Sequence, residues 1–366
     1  MKPEQYFSGS YPPGDVRFLL TPIRVGSTPV SVKEALIQSG RKHYSEMLTH
    51  ERPPSRQYIE LFQAALIDNQ ALMAKHVLVL AHKILERRPS GITLISLARA
   101  GTPIGVLLKR VFTQTLGVPV EHYSISIVRD IGIDENALHH ILQRHGPETL
   151  VFVDGWTGKG VIAGELASSL NGFGERYGIF IPPELYVLSD LSGTAFVSSS
   201  QEDYLIPSSI LNATVSGLIS RSVIDKTQLS ATDFHGCHYY RDYLEYDLSN
   251  VFIDTILTQI HALPPQPNSP EGGDAGTEKL ELREKSRAFL GWVAKMYGVN
   301  NINLIKPGIG EATRVLLRRE ADLLLIRDTS DQALKHLLYL AAQKNIRIKF
   351  HPQLPYRAAA LIKEIV

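Results

Sequence analysis

Cysteine is nearly absent from this chain, which has a single cysteine, Cys237, in 366 residues. One cysteine excludes an intramolecular disulfide framework and a cysteine-rich zinc site, and it is typical of a reducing compartment. The sequence also lacks an uninterrupted run of about 20 apolar residues, the length that a membrane-spanning helix needs. Its first residues contain no apolar signal-peptide core. The sequence therefore predicts a cytoplasmic protein that does not enter the membrane.

The chain also has little net charge, since 38 Lys+Arg face 37 Asp+Glu. This balance conceals two halves of opposite sign on either side of residues 264–277, a stretch of Pro, Gly and small polar residues that is typical of a linker. Residues 280–366 contain 15 Lys+Arg and 8 Asp+Glu, a net charge of +7, whereas residues 1–279 have a net charge of −6. We therefore expect a first domain over 1–263, a linker over 264–279 and a basic second domain over 280–366.

The first domain contains repeated strand, loop and helix units. After a long helix predicted over Gln57–Glu86, the apolar patterns predict strands over Gly91–Leu97, His122–Arg129 and Thr149–Val153, and helices over Ile104–Phe112 and Val161–Leu170. Such units predict an α/β fold with a parallel sheet, which binds ligands where its strands end at their carboxyl side.

The loop Asp154–Gly160 is the most informative of these connections. An acid followed by a Thr/Gly-rich turn into a helix gathers backbone N–H groups around a phosphate. The glycine spacing differs from the G-x-x-x-x-G-K-[ST] loop, and Gly160 stands where that loop has Ser or Thr, so a kinase or ATPase is disfavoured. The pattern favours an anion-binding turn over an ordinary strand-to-helix turn.

This loop resembles the ribose-phosphate loop of type I phosphoribosyltransferases, and Ser96–Pro103 resembles the pyrophosphate loop of that family. Phe152–Gly160, with further matching segments over most of residues 5–250, is similar to a bacterial subfamily that accompanies tellurite-resistance and stress-response gene clusters. Members of this subfamily are also called StiP-type cysteine proteases. The usual ribose-phosphate loop has two adjacent acids, whereas here Asp154 is followed by Gly155.

The resemblance implies a phosphoribosyltransferase-like domain with a hood, which binds phosphoribosyl pyrophosphate or a nucleotide and transfers or removes a phosphoribosyl group. It implies that Asp154 orients the ribose and that Arg99 neutralises the leaving pyrophosphate. Mg²⁺ is implied as a cofactor held through the substrate pyrophosphate, and no metal ligand of the chain is predicted directly. The implied phosphate- and ribose-binding residues are Thr157, Gly158, Lys159, Gly160, Ser96, Ala98, Ala100 and Gly101.

Other polar residues of the first domain are weaker candidates. Arg129, Asp130 and Asp134 follow a predicted strand where a mobile loop would cover the substrate, although exposed charges are common there. His43 and His122 each begin a His-Tyr-Ser string, for which a ligand role and a buried, hydrogen-bonded role both stay open. The hood would contain the polar residues Ser208, Asn212, Ser216 and Arg221.

Two further functions stay open beside transfer. The missing second acid leaves room for a sensor that binds nucleotide or RNA without turnover. A cysteine protease would use Cys237, which lies between His235 and His238. A nucleophilic thiol needs a base and a lowered pKa, and histidines adjacent in sequence rarely have the required geometry. A buried free thiol is the simpler interpretation.

The second domain is predicted to be a small α/β/α sandwich. Its patterns predict helices over Glu284–Tyr297, Gly308–Leu317 and Gln332–Lys344, and strands over Ala321–Asp328 and Ile346–Phe350. This order, with the turn Gly308–Arg314, resembles the Pelota-type RNA-binding domain. The resemblance implies RNA as a partner, contacted by Lys306, Gly308, Gly310, Glu311 and Arg314. A docking or dimerisation module is the alternative, which leaves a homo-oligomer open.

Overall fold

A computed structural model describes residues 7–264 and 275–363 of the chain. Most of the predicted linker therefore lies outside the described residues, and its last positions, from Ala275 onward, already belong to a helix. In the first part the helices are α1 Val30–Gln38, α2 Arg56–Arg87, α3 Thr102–Arg110, α4 Glu135–Leu142, α5 Val161–Tyr177 and α6 Ser249–Ala262. Its strands are β1 Arg17–Leu19, β2 Thr21–Pro22, β3 Thr93–Ala98, β4 Glu121–Val128, β5 Gly132–Ile133, β6 Leu150–Thr157, β7 Leu185–Asp190, β8 Val197–Ser200 and β9 Gly236–Cys237.

The central sheet of the first part is mainly parallel. Its strands follow the order β1-β4-β3-β6-β7-β8, each pair parallel, and β5 adds an antiparallel edge to β4. Alternate residues of one strand belong to different cores, because successive side chains point to opposite faces. Leu94 packs in a cluster with α2, α3 and α6, whereas Ile95 packs in one with α4 and α5. The predicted α/β class with a parallel sheet is confirmed.

The strand β6 continues beyond the predicted end at Val153. Trp156 and Thr157 pair with Ser189 and Asp190 of β7, so the ladder carries the strand to Thr157. The segment predicted as the loop Asp154–Gly160 is therefore strand over its first half, and the turn into α5 is confined to Gly158–Gly160. Gly160 has φ +80°, a left-handed conformation that glycine adopts without strain.

The second part forms a helix–sheet–helix unit. Its helices are α7 Ala275–Tyr297, α8 Ile309–Arg318 and α9 Lys335–Gln343, and its strands are β10 Ile305–Pro307, β11 Ala321–Ile326, β12 Arg347–Phe350 and β13 Ala358–Ile362. The strands follow the order β10-β13-β11-β12. Helices α8 and α9 pack on one face and α7 on the other. The sequence did not predict β13, which lies inside the sheet and is antiparallel to both neighbours.

No helix in the two described ranges is both long enough and apolar enough to span a bilayer.

Candidate functional site

The carboxyl edge of the parallel sheet is covered by the second part of the chain. Gly310 of α8 approaches the Trp156 ring so closely that an added Cβ would lie 3.1 Å from Trp156 Cε2. Arg314 of the same helix lies 5.1 Å from the centroid of that ring. The predicted RNA-contacting residues and the predicted phosphate loop therefore face each other.

Lys159 and Gly158 of the turn after β6 contact the second part directly. The ammonium Nζ of Lys159 donates to the carbonyls of Ile302, at 2.8 Å, and Ile305, at 3.1 Å. Burial, with the nearby charge of Lys306, lowers the pKa of Lys159 to about 7. A Cβ at Gly158 would lie 3.3 Å from the carbonyl oxygen of Pro307. This turn thus contacts the second part of the chain, and its role in phosphate binding stays a prediction.

Asp203 fixes the amino end of α8. Its Oδ1 accepts from the backbone N–H of Ile309 at 2.8 Å, and its Oδ2 accepts from that of Arg357 at 2.8 Å. Gly308, with φ +88°, is packed against Leu191 and Asp203. Burial raises the pKa of Asp203 to about 6, although both N–H groups favour its ionised form. Asp203 therefore connects the two parts through a buried carboxyl group.

Asp154 lies beside this junction. Its Oδ1 accepts the backbone N–H of Gly155 at 2.8 Å, and burial raises its pKa to about 6. The charge of Arg314 favours the ionised form and that of Glu311 opposes it. The carboxyl group predicted to grip a ribose thus lies next to charges from α8.

Thr157 is held by an acid that no sequence motif singled out. Its hydroxyl donates to Asp190 Oδ1 at 2.5 Å, and Asp190 also accepts the backbone N–H groups of Ser192, Thr194 and Ala195. The buried Asp190 ends β7, as Asp154 follows the apolar run of β6. This repeated strand-to-acid pattern is a sequence signal that could have identified Asp190.

Arg99 lies in a tight network after β3. It forms an ion pair with Glu51 at 2.5 Å and donates to Ile219 O at 2.9 Å and to Asn212 Oδ1 at 2.8 Å. Glu51 also accepts the N–H of Ala213 at 2.8 Å. Glu51 and Asp203 lie in irregular segments, and no sequence pattern marks them.

The other predicted residues of the segment Ser96–Pro103 lie near this network. Ser96 is buried and bonds through Oγ to His122 Nε2 at 2.8 Å, while His122 Nδ1 bonds to Asp15 O at 2.8 Å. Burial lowers the pKa of His122 to about 4. His122 is therefore a neutral core residue. Ala98 ends β3, and Ala100 and Gly101 belong to the turn from β3 into α3.

Arg129, Asp130 and Asp134 lie around the short β5 strand. Asp134 is buried, caps α4 through Ala137 N at 3.1 Å and accepts from His235 N at 2.6 Å. Arg129 pairs with Asp130 at 3.1 Å. Their role in covering a ligand stays a prediction. His43 approaches Asp130 at 3.8 Å, and Arg221 of the predicted hood donates to Tyr44 O at 2.7 Å.

Cys237 lies in β9, in a two-strand parallel pair with β2. The residue is fully buried, and burial raises the pKa of its thiol to about 12. His235 bonds through Nδ1 to Ser126 Oγ at 2.8 Å, and the His238 ring stacks on His50 with 4.7 Å between centroids. Across the described ranges, neither histidine forms a hydrogen bond with the sulfur. This is the environment of a protected thiol.

The family follows from comparison with known proteins. Residues 9–257 match the family described as "Tellurite-like stress resistance cysteine protease StiP". The chain belongs to the StiP family. This StiP-family chain is 42% identical, over an alignment of 373 positions, to the protein named "Cysteine protease StiP" of Acinetobacter baylyi. The match covers 99% of this chain and 96% of that relative. Residues 284–364 match the PELOTA RNA binding domain.

Two solved structures show weak similarity to the StiP-family chain. The hypoxanthine phosphoribosyltransferase of Trypanosoma cruzi is 16% identical with a TM-score of 0.25, over 36% of this chain and 82% of that one. An asparagine mutant of an invariant aspartic acid in HPRTs is 15% identical with a TM-score of 0.25, over 48% and 93%. Similarity of this size assigns neither fold nor activity.

The predicted phosphoribosyltransferase activity is wrong, because the family and the relative of nearly full length are both described as cysteine proteases. The assignment depended on loop patterns, and phosphoribosyl pyrophosphate has no support as a partner. The roles given to Asp154 and Arg99 in phosphoribosyl transfer are withdrawn with it. Mg²⁺ was expected only through that substrate. Within 7–264 and 275–363, no group of three or more His, Cys, Asp or Glu side chains is arranged to hold a metal ion.

Proposed function

We propose that this chain is a thiol peptidase of the StiP type in which Cys237 supplies the nucleophile. The cysteine count carries the proposal: a cysteine protease needs a thiol, and the sequence has one cysteine. The same residue lies between two histidines, His235 and His238, the residue type that activates a thiol in such enzymes.

The structure then corresponds to a latent form of the peptidase. The thiolate is the nucleophile, and burial raises the pKa of the Cys237 thiol to about 12, which favours its protonated form at pH 7. An active form must expose Cys237 and bring an imidazole to the sulfur. His238 is the better candidate base, because its Nδ1 is buried without a hydrogen-bond partner in the described part of the chain, whereas His235 is bonded to Ser126.

The test is hydrolysis of a fluorogenic casein by the full chain in reducing buffer. We expect Cys237→Ala to lower the rate by at least about 100-fold, as loss of a nucleophile does, and His238→Ala to lower it by a similar order. The control His261→Ala removes an exposed histidine of α6 and should leave the rate unchanged. Alkylation of Cys237 by iodoacetamide, followed by mass spectrometry, should proceed in step with loss of activity.

Retention of activity in Cys237→Ala would exclude the thiol mechanism. A wild-type chain that is readily alkylated at Cys237 yet hydrolyses no casein would also count against it, since the thiol would then be accessible without being catalytic. Thermal melting of each variant separates loss of chemistry from loss of fold.

We also propose that the second part of the chain binds RNA. The proposal is supported by the match of residues 284–364 to the PELOTA RNA binding domain and by the net charge of +7 over 280–366. Arg347 and Lys349 of the edge strand β12 are exposed, whereas Glu311 and Arg314 are partly covered by the first part. Arg347 pairs with Asp322 at 2.7 Å on the open surface, so the exposed strand offers accessible cations.

Fluorescence anisotropy of a labelled single-stranded RNA tests this proposal. Because phosphate contacts release counterions, the affinity should fall steeply between about 50 and 200 mM KCl. We expect the double variant Arg347→Glu, Lys349→Glu to weaken binding by at least about tenfold. The control Lys226→Glu changes an exposed lysine of the first part. Absence of binding at 50 mM KCl would contradict the proposal.

A further inference from the structure

A small basic cavity lies where α8 meets the first part of the chain. It contains three arginines, of which Arg99 follows β3, while Arg314 and Arg318 are four residues apart and so lie on one face of α8. Trp156, Ser208, Ser209 and Ser216 also line it. We call this space the arginine cavity. Its volume is about 10 Å³, the space of a single water molecule.

The three arginines of the cavity differ in their acidic partners. Glu51 compensates Arg99 at 2.5 Å, and Glu311 approaches Arg314 at 3.5 Å. In the described ranges no carboxylate pairs with Arg318, whose Nη2 donates only to the carbonyls of Ser209, at 3.3 Å, and Leu211, at 3.0 Å. A partly buried guanidinium without an acidic partner at contact distance is unfavourable. Arg318 is therefore the cavity arginine whose charge no direct ion pair with a described residue compensates, although Glu51 and Glu311 act on it at longer range.

Two polar groups of the cavity residues are also unsatisfied. Arg318 Nε and Ser209 Oγ are both buried and have no hydrogen-bond partner in the part of the chain that the structure describes. Buried donors are almost always paired, so two unpaired donors on neighbouring residues call for a missing acceptor. Burial, with the charges of Arg314 and Arg99, pushes the pKa of Arg318 well below its ordinary value. A bound anion would reverse both effects.

The remaining lining indicates which anion fits. Ser208, Ser209 and Ser216 offer hydroxyl groups, and guanidinium groups match the geometry of phosphate oxygens. Trp156 adds a flat aromatic wall, over which Arg314 lies at 5.1 Å from the ring centroid. Arg314 is weakly restrained, because its ion pair with Glu311 is long, at 3.5 Å, and its side chain is partly exposed.

We propose that the arginine cavity is a phosphate-binding site shared by the two parts of the chain, with Arg318 and Ser209 as its principal ligands. The phosphate enters when the Arg314 side chain moves off Trp156, and the guanidinium of Arg314 then contacts the phosphate from the rim. The phosphate belongs either to RNA or to a small phosphate ester, and both sources present the same oxygens to Arg318. The site does not depend on peptidase activity, so it can be tested separately from Cys237.

Tryptophan fluorescence provides a local test, because the sequence has two tryptophans and only Trp156 lines the cavity. In a Trp292→Phe background, the full chain is titrated with inorganic phosphate against chloride at constant ionic strength. We expect a saturable change in Trp156 emission. Arg318→Met should weaken the apparent affinity by at least about tenfold, and Ser209→Ala by about threefold, as losses of a charged and a neutral hydrogen bond do. Arg287→Met, an exposed arginine of α7 in the same part of the chain, is the matched control and should bind as the parent does.

Thermal melting distinguishes a phosphate ligand from a structural arginine. If Arg318 is a phosphate ligand, the Arg318→Met variant should melt in chloride at the same temperature as the parent or at a higher one. It should also lose the stabilisation that phosphate gives the parent. A structural arginine would instead lower the melting temperature equally in both salts. Should Arg318→Met fail to fold, Arg318→Lys keeps the charge but loses Nε, and we expect a folded protein with weaker phosphate binding.

Labelled RNA identifies the source of the phosphate. If the site reads RNA, inorganic phosphate should compete with RNA and Arg318→Met should weaken both ligands. If it takes a small ester, Arg318→Met should lose phosphate binding and keep RNA binding. No saturable change of Trp156 emission with phosphate, or equal phosphate affinity in Arg318→Met and the parent, would overturn the proposal.

Discussion

Gly105 shows at the level of a single residue how closely α3 packs on the central sheet. An added Cβ at this position would lie 2.2 Å from His122 Nε2 and 2.9 Å from Ser96 Cβ. His122 cannot yield easily, because both ring nitrogens are hydrogen-bonded, to Ser96 and Asp15. We expect Gly105→Ala to lower the free energy of unfolding by about 1–3 kcal/mol, as overpacking of a core does. Urea denaturation measures it.

The matched control for this prediction is Gly164→Ala. Gly164 is also a helical glycine, on α5, but beyond its chain neighbours and its own helix backbone no atom of the described ranges lies within 4 Å of an added Cβ. Alanine should therefore be neutral or stabilise the chain there by up to about 1 kcal/mol, because it restricts the unfolded state. Equal effects of the two substitutions would contradict the packing argument.

His122 also makes stability depend on pH. Burial lowers its pKa to about 4, from 6.5, so the unfolded chain takes up a proton between these values while the folded chain does not. The free energy of unfolding should therefore fall as the pH is lowered from about 6.5 to 4. The contribution of His122 to this fall is on the order of 3 kcal/mol. Burial also lowers the pKa of His336 to about 4, so this residue changes the stability in the same direction.

The variant His122→Gln tests how much His122 contributes to the pH dependence of the unfolding free energy. Glutamine does not ionise, so the difference in unfolding free energy between pH 7 and pH 4.5 should be smaller in the variant than in the wild type. His261→Gln, an exposed histidine, should keep the wild-type difference. An unchanged pH dependence in His122→Gln would show that other groups dominate.

At the level of elements, hydrophobic periodicity predicted the helices and strands whose type depends on the local sequence. The long helix over Gln57–Glu86 is α2, and the strands over Gly91–Leu97 and His122–Arg129 are β3 and β4, each within two residues. These segments have strong apolar patterns that suit one kind of element. The parallel arrangement of the sheet followed from their order along the chain.

Other parts of the fold depend on pairing between strands that are distant in sequence, which periodicity does not predict. Three of the five residues of β13 are alanines, which have little preference for strands, yet β10 and β11 hydrogen-bond to both of its edges. The extension of β6 to Thr157 likewise depends on β7. The candidate site could be predicted only in part, since the contact of Gly310 and Arg314 with Trp156 joins residues more than 150 positions apart.

Asp190 organises the turn between β7 and β8. Its carboxylate accepts the Thr157 hydroxyl and three backbone N–H groups, and it is buried. We expect Asp190→Ala to cost about 2–4 kcal/mol of unfolding free energy, because it leaves several buried donors unpaired. Asp328→Ala removes an exposed carboxylate that accepts the N–H of Ser330 and should cost less than about 1 kcal/mol. Similar losses in urea denaturation would contradict the burial argument.

At the level of the whole molecule, a basic part is docked on an acidic one. The predicted RNA-contacting residues Lys306 and Arg314 face the first part and are partly covered by it, so a strand of RNA would contact both of them fully only after the two parts separate. The exposed strand β12 requires no such separation. Asp203 holds the two parts together, because it accepts from the N–H groups of both Ile309 and Arg357. Weakening this attachment therefore tests which of the two surfaces binds RNA.

Asp203→Asn should loosen this attachment. An amide has one acceptor oxygen, so one of the N–H groups of Ile309 and Arg357 loses its acceptor and should exchange hydrogen faster in mass spectrometry. If Lys306 and Arg314 contact RNA, the affinity should rise by about threefold or more as they become accessible. Asp225→Asn removes the same charge from an exposed turn and controls for the change in net charge. Faster exchange without a gain in RNA affinity would assign RNA binding to the exposed side of the domain instead.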